Sequence, residues 1–404
     1  MKNPLSAYKG LNRSIYLMAL VTFINCLAEF IGPFFSLYLT VRLGYDMKTA
    51  GLMVSLLIVC HIPGALLGGK LCDKIGRKTI IVCSQTLMGV SFILCGFFLD
   101  APYAPLFVFL GSFFDGITDP ARRALEVDVT KPEQRQAAFS LIYQALNMGF
   151  AIGPMLAGFL FYKYPAWLFF GNGIVEVLSV LLIVFFVPES KPSEKELQDS
   201  QWEKTAEKAV EGNIFTALKQ RPQLLWLALI AFFVSFAYKQ ITFTLPLQTT
   251  TLFGESGSAF YGTILSVNAL IVIFLNPIVL SFSQHIDARR NILIGCLLYA
   301  VAFLLFGFSK LPWQFFVLTA VYTIGEILFS NNFKTYQNNN TPINFRGRFN
   351  TVLPISKTIG ATLAPLMGGV ILSVFPFSAL WTISSLSVLM GIGILVCKVS
   401  DKPY

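Results

Sequence analysis

Twelve apolar stretches, each long enough to cross a lipid bilayer, follow one another along this chain in two groups of six. A helix needs about 20 predominantly apolar residues to span the hydrocarbon layer, and a soluble domain has no use for twelve such helices. A segment rich in charged residues, 188–222, separates the two groups. The pattern therefore predicts an all-α membrane protein with two six-helix bundles, at 1–187 and 223–404, joined by a linker.

The predicted spans account for most of the 404 residues and leave little for soluble domains. Only 13% of the residues are charged, against about 25% in an ordinary soluble domain. The first apolar run is too long for a cleaved signal peptide, so we expect it to remain as an anchor. The predicted spans are 14–39, 48–69, 78–99, 103–127, 137–162, 167–187, 224–247, 258–282, 291–308, 313–336, 350–374 and 377–397.

The basic residues predict the orientation of the spans. Lysines and arginines concentrate in the tails and loops on the side of the amino terminus, and the opposite side holds only Arg42, Lys48, Lys163 and Lys310. Because basic loops stay in the cytoplasm, both termini and the linker are predicted to be cytoplasmic, which suits a bacterial inner membrane. This requirement also accounts for the net charge of +9, and we expect no nucleic acid as partner.

The chain carries few of the residue patterns that bind metals or catalyse reactions. Its seven cysteines include no C-x-x-C pair, and its two histidines are too few for a metal cluster. It has no H-E-x-x-H or Ser/His constellation, and no glycine-rich loop that would cradle a phosphate. We therefore expect neither a metal nor a cofactor, and no enzymatic activity.

The two halves of the sequence repeat two motifs, as expected for two bundles built from related units. The loop between spans two and three contains Gly69, Asp73, Gly76, Arg77 and Lys78, and 281–290 is a weaker copy of it. Span five contains Gly149, Gly153, Pro154 and Gly158, and 360–369 in span eleven repeats that spacing. Small residues at such spacing let helices approach closely, and a proline bends its helix.

These motifs and the twelve-span layout resemble the major facilitator superfamily along the whole chain. The resemblance implies that the loop from Gly69 to Lys78 latches the outward-facing state, with Asp128 as the acidic partner of Arg77. The alternative is that its basic residues only set the orientation. The motif in span five resembles that of the proton-antiporter branch, although helix packing alone would also explain it.

The resemblance is strongest to the proton-coupled multidrug efflux pumps of that superfamily, with the stretch 322–326 in span ten as a further shared feature. One feature departs from the family pattern. An arginine usually lies deep in span four, whereas Arg122 and Arg123 lie near the cytoplasmic end.

Several ionisable residues fall inside the spans, where each costs roughly 2.5–3.5 kcal/mol on insertion scales and needs a reason. Asp115 lies about 18 Å into span four, and Asp119 lies one turn deeper. The i,i+4 spacing allows Asp119 to pair with Arg123 and Arg122 to pair with Glu126. Asp115 is farther from these pairs and is the better candidate for proton binding.

Two glutamates are the main candidates for binding protons or substrate. Glu29 in span one lies about 22 Å from the cytoplasmic edge, and Glu326 in span ten lies about 20 Å from the outer edge. The family resemblance implies that these two spans line a central cavity. The alternative for Glu326 is a permanent ion pair with Lys357.

Three further residues are open to two interpretations. Lys239 in span seven could bind an anionic substrate or neutralise Glu29. His61 in span two could relay protons or pack as an ordinary buried histidine. Glu176 in span six is interpreted as a buried support residue or a residue that faces an aqueous crevice.

The resemblance implies a secondary transporter that works by alternating access. We expect proton-coupled export of small amphipathic compounds by a monomer whose partners are a small-molecule substrate, protons and membrane lipids. One alternative is a dedicated carrier of a metabolite, siderophore or lipid, including uptake by proton symport. Another is a membrane sensor that transports nothing.

Overall fold

The computed structural model describes residues 10–131, 134–190, 222–340 and 346–399, and most of the predicted linker lies outside these ranges. Side chains are described throughout them except at 73, 135, 136, 222, 338–340 and 346–353. Helices connected by short turns make up the described residues, and no strand occurs among them. The prediction of an all-α fold is confirmed.

The helices follow the predicted spans closely. In the first half they are α1 (Arg13–Leu27), α2 (Ile31–Leu37), α3 (Met47–Ile75), α4 (Arg77–Phe97), α5 (Ala104–Asp128), α6 (Arg135–Lys163) and α7 (Ala166–Phe186). In the second half they are α8 (Pro222–Phe253), α9 (Ser256–Ser283), α10 (Ala288–Phe306), α11 (Pro312–Asn340), α12 (Arg346–Leu372) and α13 (Phe377–Lys398).

Length and hydropathy identify the helices that can cross a membrane. Among the described residues, 11 segments qualify, with α1 and α2 counted as one segment that runs to Arg42. Helix α5 has 25 residues and is long enough, but acidic and basic side chains interrupt its apolar run. The chain is therefore a multi-pass membrane protein in which one helix is unusually polar.

The first span is broken, which its hydropathy did not predict. Helix α1 ends at Leu27 and α2 begins at Ile31. Pro33 has no N–H to donate to the carbonyl of Glu29 four residues earlier, and its ring would collide with that carbonyl. The span then continues through a five-residue π-helical turn, Tyr38–Arg42. A proline thus places Glu29 at a helix break rather than within a regular helix.

The chain forms two compact units. The first contains residues 1–45, 53–193 and 249–270, and the second contains 46–52, 194–248 and 271–404. This division follows the predicted bundles except that the start of α3 belongs to the second unit and a part of α8 and α9 belongs to the first. The predicted domain boundaries stay a prediction.

Glycines bring α3 and α5 together within the first unit. A Cβ atom at Gly64 or Gly68 of α3 would collide with the backbone of Phe113 or Ile117 of α5. The hydroxyl of Ser112 in α5 donates a hydrogen bond to the carbonyl of Leu57 in α3 at 2.8 Å. This close approach positions the polar side chains that α3 and α5 share.

Two adjacent glycines of α3 offer a test of this packing. A Cβ at Gly68 would lie 2.7 Å from Cα of Ile117, whereas a Cβ at Gly69 would meet nothing within 4 Å. We expect Gly68→Ala to destabilise the protein by about 1–3 kcal/mol through overpacking. Gly69→Ala is the matched control and should be neutral or slightly stabilising, because alanine favours helix. Thermal unfolding of both purified variants measures the difference, and equal midpoints would contradict this account.

Candidate substrate and proton sites

The predicted loop from Gly69 to Lys78, here called the signature loop, forms an ion pair with the end of α5. Only Gly76 of this segment lies between helices, because α3 runs to Ile75 and α4 begins at Arg77. The guanidinium of Arg77 contacts Oδ2 of Asp128 at 3.0 Å and donates a second hydrogen bond to the carbonyl of Cys72 at 3.2 Å. Both side chains are largely buried, at 12% and 22% exposure. The contact expected between Arg77 and Asp128 is present, and its role as a latch stays a prediction. The side chain of Asp73 lies outside the described residues.

A carboxylate that sequence reasoning missed also binds this loop. Oε1 of Glu189 accepts hydrogen bonds from the backbone N–H groups of Arg77 at 2.8 Å and Lys78 at 3.3 Å, and Oε2 accepts one from Thr79 at 3.4 Å. The carboxylate thereby caps the first turn of α4, whose N–H groups have no partner within the helix. The signal in the sequence was an acidic residue directly after span six, a region that we assigned to the linker.

Gly76 makes room for this carboxylate. Its φ of 127° lies in the region that favours glycine, and a Cβ there would lie 2.5 Å from Oε2 of Glu189. Lys78 extends to the carbonyl of Val184 at 2.7 Å, and Ser190 donates to Asp128 at 3.1 Å. The signature loop therefore ties together the ends of α4, α5 and α7.

Two aspartates of α5 each contact one basic side chain. Nε2 of His61 in α3 lies 3.5 Å from Oδ2 of Asp115, and Arg123 pairs with Asp119 at 2.9 Å across one helical turn. These groups are partly exposed, with the side chains of His61 at 34% and Asp115 at 47%. The predicted pair of Asp119 and Arg123 is thus present, and Asp115 has a partner in a histidine of the neighbouring helix.

Glu29 lies at the break in the first span. Its Oε1 accepts a hydrogen bond from the N–H of Gly32 at 3.2 Å, so the carboxylate caps α2. The positive end of a helix stabilises a negative charge at such a position. Glu29 therefore has a structural function there, in addition to the predicted role in binding protons or substrate.

The second unit contains a cavity of about 310 Å³ that is open to one side. Glu326 of α11 lies in its wall, and the Tyr238 hydroxyl of α8 donates a hydrogen bond to Oε1 of Glu326 at 2.9 Å. Two predicted site residues, Glu326 and Lys357, line this cavity together with Lys334. Its aromatic lining is provided by Tyr238, Tyr299, Phe329 and Phe333.

This cavity combines the features of a small-molecule site, because apolar rings surround a few polar groups. Lys239 is the neighbour of Tyr238 in the chain, but it does not line the cavity. The sequence indicated Glu326 and Lys357, whereas the partnership with Tyr238, 88 residues earlier, carried no sequence signal. Among the residues that the structure describes, no group of three His, Cys, Asp or Glu side chains is placed to hold a metal ion.

The span-five motif packs against two neighbours within the first unit. A Cβ at Gly149 would lie 2.6 Å from Cβ of Cys26 in α1, and one at Gly153 would lie 2.6 Å from the carbonyl of Leu27. On the other side, Ser258 at the start of α9 donates to the carbonyl of Gly158 at 2.9 Å. The motif, including Pro154, thus has a packing role in this structure.

Comparison with known proteins assigns the family. The family model described as Major Facilitator Superfamily matches residues 18–279 and 253–403. The chain belongs to this superfamily and is a transporter rather than an enzyme.

Curated relatives and solved structures agree with this family. The chain is 24% identical to a Na(+), Li(+), K(+)/H(+) antiporter of Planococcus maritimus, over 85% of this chain and 86% of the relative. It is 21% identical to the multidrug resistance protein MdtH of Salmonella typhi, over 83% and 81%. A crystal structure of a POT family transporter in complex with 5-aminolevulinic acid shares the fold, with a TM-score of 0.78 at 14% identity over 96% of both chains.

The cap formed by Glu189 predicts a pH-dependent contribution to stability. Partial burial acts to raise the pKa of Glu189, but the N–H donors of Arg77, Lys78 and Ser190 outweigh it and lower the pKa below its ordinary value of 4.5. A lowered pKa means that the stabilisation is present above the pKa of the unfolded chain and is lost as pH falls through the folded value.

We expect Glu189→Gln to destabilise the protein at pH 7 by less than about 1 kcal/mol, since solvent screens this partly exposed group. The difference from the unmodified protein should vanish as the pH falls below 4.5. Thermal unfolding at several pH values measures it, with Glu255→Gln on an exposed turn as the matched control. A difference that persists unchanged at acid pH would rule out this role of the carboxylate.

Proposed function

We propose that the protein exports small amphipathic compounds in exchange for protons by alternating access. The observation that carries this proposal is the cavity of the second unit, where Glu326 lies among aromatic rings. A charged carboxylate in a largely apolar wall is costly even with a hydrogen bond from a tyrosine, and a proton or a cationic substrate lowers that cost. Competition between these two ligands for one carboxylate would couple their movements in opposite directions.

The relatives support proton antiport in different ways. One relative is named as an antiporter of monovalent cations and protons, and another as a multidrug resistance protein. The first name fits a site at which a cation and a proton alternate, and the second fits the export of drug-like compounds. The planar rings of Tyr299, Phe329 and Phe333 favour an organic cation, because aromatic faces attract positive charge.

The signature loop would act as the conformational latch. In the proposal, the contacts of Arg77 with Asp128 and of Glu189 with the start of α4 exist in one state of the transport cycle and loosen in the other. A ligand shifts such a balance only by its different affinity for the two states. Protonation of Glu326, Glu29, Asp115 or Asp119 would provide that difference.

We place the protein in a bacterial cytoplasmic membrane as a monomer with both termini in the cytoplasm. The distribution of lysine and arginine supports this orientation, and the curated relatives are bacterial. Large apolar side chains on the outer faces of the helices, such as Phe97, Phe185 and Phe274, are exposed and suited to contact lipid.

A second candidate function rests on the two cations of the cavity. Lys334 and Lys357 line the same space as Glu326, which would suit a substrate that carries a carboxylate or phosphate. This favours a carrier of an anionic metabolite. In that case Lys239, elsewhere on α8, stays outside the binding site.

Transport by the purified chain in proteoliposomes tests the proposal. With an imposed pH gradient, we expect uphill movement of tetraphenylphosphonium, a lipophilic aromatic cation, in the direction opposite to protons. Glu326→Gln should lower this movement by at least about tenfold, because the variant cannot exchange a proton for the cation at that position. Tyr238→Phe retains the carboxylate and should lower it less.

Three outcomes would contradict parts of this proposal. Unchanged gradient-driven transport by Glu326→Gln would exclude Glu326 as the coupling group. Transport of an anion such as citrate, without the cation, would favour the metabolite carrier. Ligand binding without any flux would favour a sensor.

A further inference from the structure

A cluster of polar side chains lies inside the first unit. Its members belong to four helices: Thr22, Asn25, Gln85, Asn172 and Glu176 are buried, and Arg122 is half-buried. Glu176 is only 5% exposed and Asn172 only 1%. Apolar side chains of the same helices, including Ile81, Ile117 and Ile183, form a buried core beside it. A carboxyl group and a guanidinium thus share an interior that is otherwise apolar.

Gln85 connects the two charged members. Its Nε2 donates to Oγ of Ser179 at 2.7 Å and to the backbone carbonyl of Glu176 at 3.3 Å, both in α7. Its Oε1 accepts a hydrogen bond from Nη2 of Arg122 in α5 at 3.3 Å. The amide of Gln85 therefore joins α5 to α7 through α4 and fixes how the polar groups face one another.

Many polar atoms of this cluster have no protein partner among the described residues. These buried atoms are Oγ1 of Thr22, both side-chain polar atoms of Asn25 and Asn172, Nε of Arg122 and Oε2 of Glu176. Buried polar groups in proteins are almost always satisfied, by protein atoms or by ordered water. An interior water typically binds two to four such groups, and these atoms come from three helices that face one another. The arrangement is suited to hold water.

The cluster follows a path into the membrane. The depth of each residue follows from its distance along the helix from the end that is predicted to be cytoplasmic. At 1.5 Å per residue, Arg122 lies about 9 Å deep, Gln85 about 12 Å and Glu176 about 15 Å. Asn25 and Asn172 continue to about 18 Å and 21 Å. The polar groups thus extend from the cytoplasmic third of the unit to its middle, where Glu176 is the only carboxyl of the cluster.

The charged groups near Glu176 come from α5 and from the break in the first span. They are Arg122, whose charge is opposite to that of a carboxylate, and the acidic residues Asp115 and Glu29. The thiol of Cys26 in α1 is a further titratable group near Glu176. Two of the sequence-predicted proton candidates therefore influence the carboxyl group of Glu176.

We propose that this cluster is a hydrated proton site inside the first unit, with Glu176 as the group that binds and releases the proton. In the release step, the O–H bond of the Glu176 carboxylic acid breaks, the proton passes to water, and the carboxylate stays behind opposite Arg122. The inference that this proton drives transport rests on the proposed antiport. The inference that Glu176 binds a proton does not depend on it.

Infrared difference spectroscopy of the purified full chain in lipid nanodiscs tests the proton site directly. As the pH is raised, we expect the C=O stretching band of one protonated carboxyl group to disappear. Glu176→Gln should abolish this band, and Glu176→Asp should shift its frequency. Glu255→Gln on an exposed turn is the matched control and should leave the band unchanged.

The outcomes separate this inference from the proposed function. A band that is identical in Glu176→Gln and the unmodified chain, or no titrating band at all, would overturn the proton site. If Glu176→Gln fails to fold, an unshifted band in Glu176→Asp would overturn it equally. In proteoliposomes, Glu176→Gln should lose gradient-driven movement of tetraphenylphosphonium and retain its downhill exchange. If the unmodified chain moves nothing, the transport proposal fails, whereas the spectra still decide whether Glu176 binds a proton.

Discussion

Lipid offers no hydrogen-bond partner, and this one constraint explains most of the polar contacts in the structure. Backbone N–H and C=O groups are satisfied by hydrogen bonds within the helices, so only the polar side chains still need partners. Serines and threonines return their hydroxyls to the carbonyl one turn earlier, as Thr319 and Thr323 do. Charged residues find a partner on a neighbouring helix or in the next turn. Where a buried polar atom of the described residues has no protein partner, as with Oε2 of Glu176, the exception points to a function.

The same constraint makes helix ends important, because a helix leaves its first N–H groups without partners. Glu189 satisfies those of α4, and Glu29 satisfies that of Gly32 in α2. In both cases a glycine stands where a Cβ would meet the carboxylate. At these two positions a carboxylate therefore serves as the partner of N–H groups at the start of a helix, so the helix can begin among packed side chains.

The sequence predicted the features that depend on composition and on local spacing. Hydropathy identified the spans, including α5 despite its charges, and the i,i+4 rule anticipated the contact of Asp119 with Arg123. The contact of Arg77 with Asp128 followed from a family motif. Contacts that depend on the rotation of one helix against another could not be predicted. The approach of Tyr238 to Glu326 and the position of Gln85 between Arg122 and α7 belong to that class. Pro33 indicated the helix break before Ile31, but hydropathy averaged over the whole span does not show it.

The polarity of α5 has a consequence for how the chain enters the membrane. Each charge near the centre of a lone helix costs roughly 2.5–3.5 kcal/mol of insertion free energy. The combined cost of Asp115 and Asp119 approaches the free energy gained by inserting the apolar residues around them. Helix α5 is therefore expected to insert poorly into a membrane as a single helix. Its partners are His61 on the earlier α3 and Gln85 on the earlier α4, so both are already synthesised when α5 leaves the ribosome. We therefore expect α5 to insert stably only together with α3 and α4, whose side chains contact its polar residues.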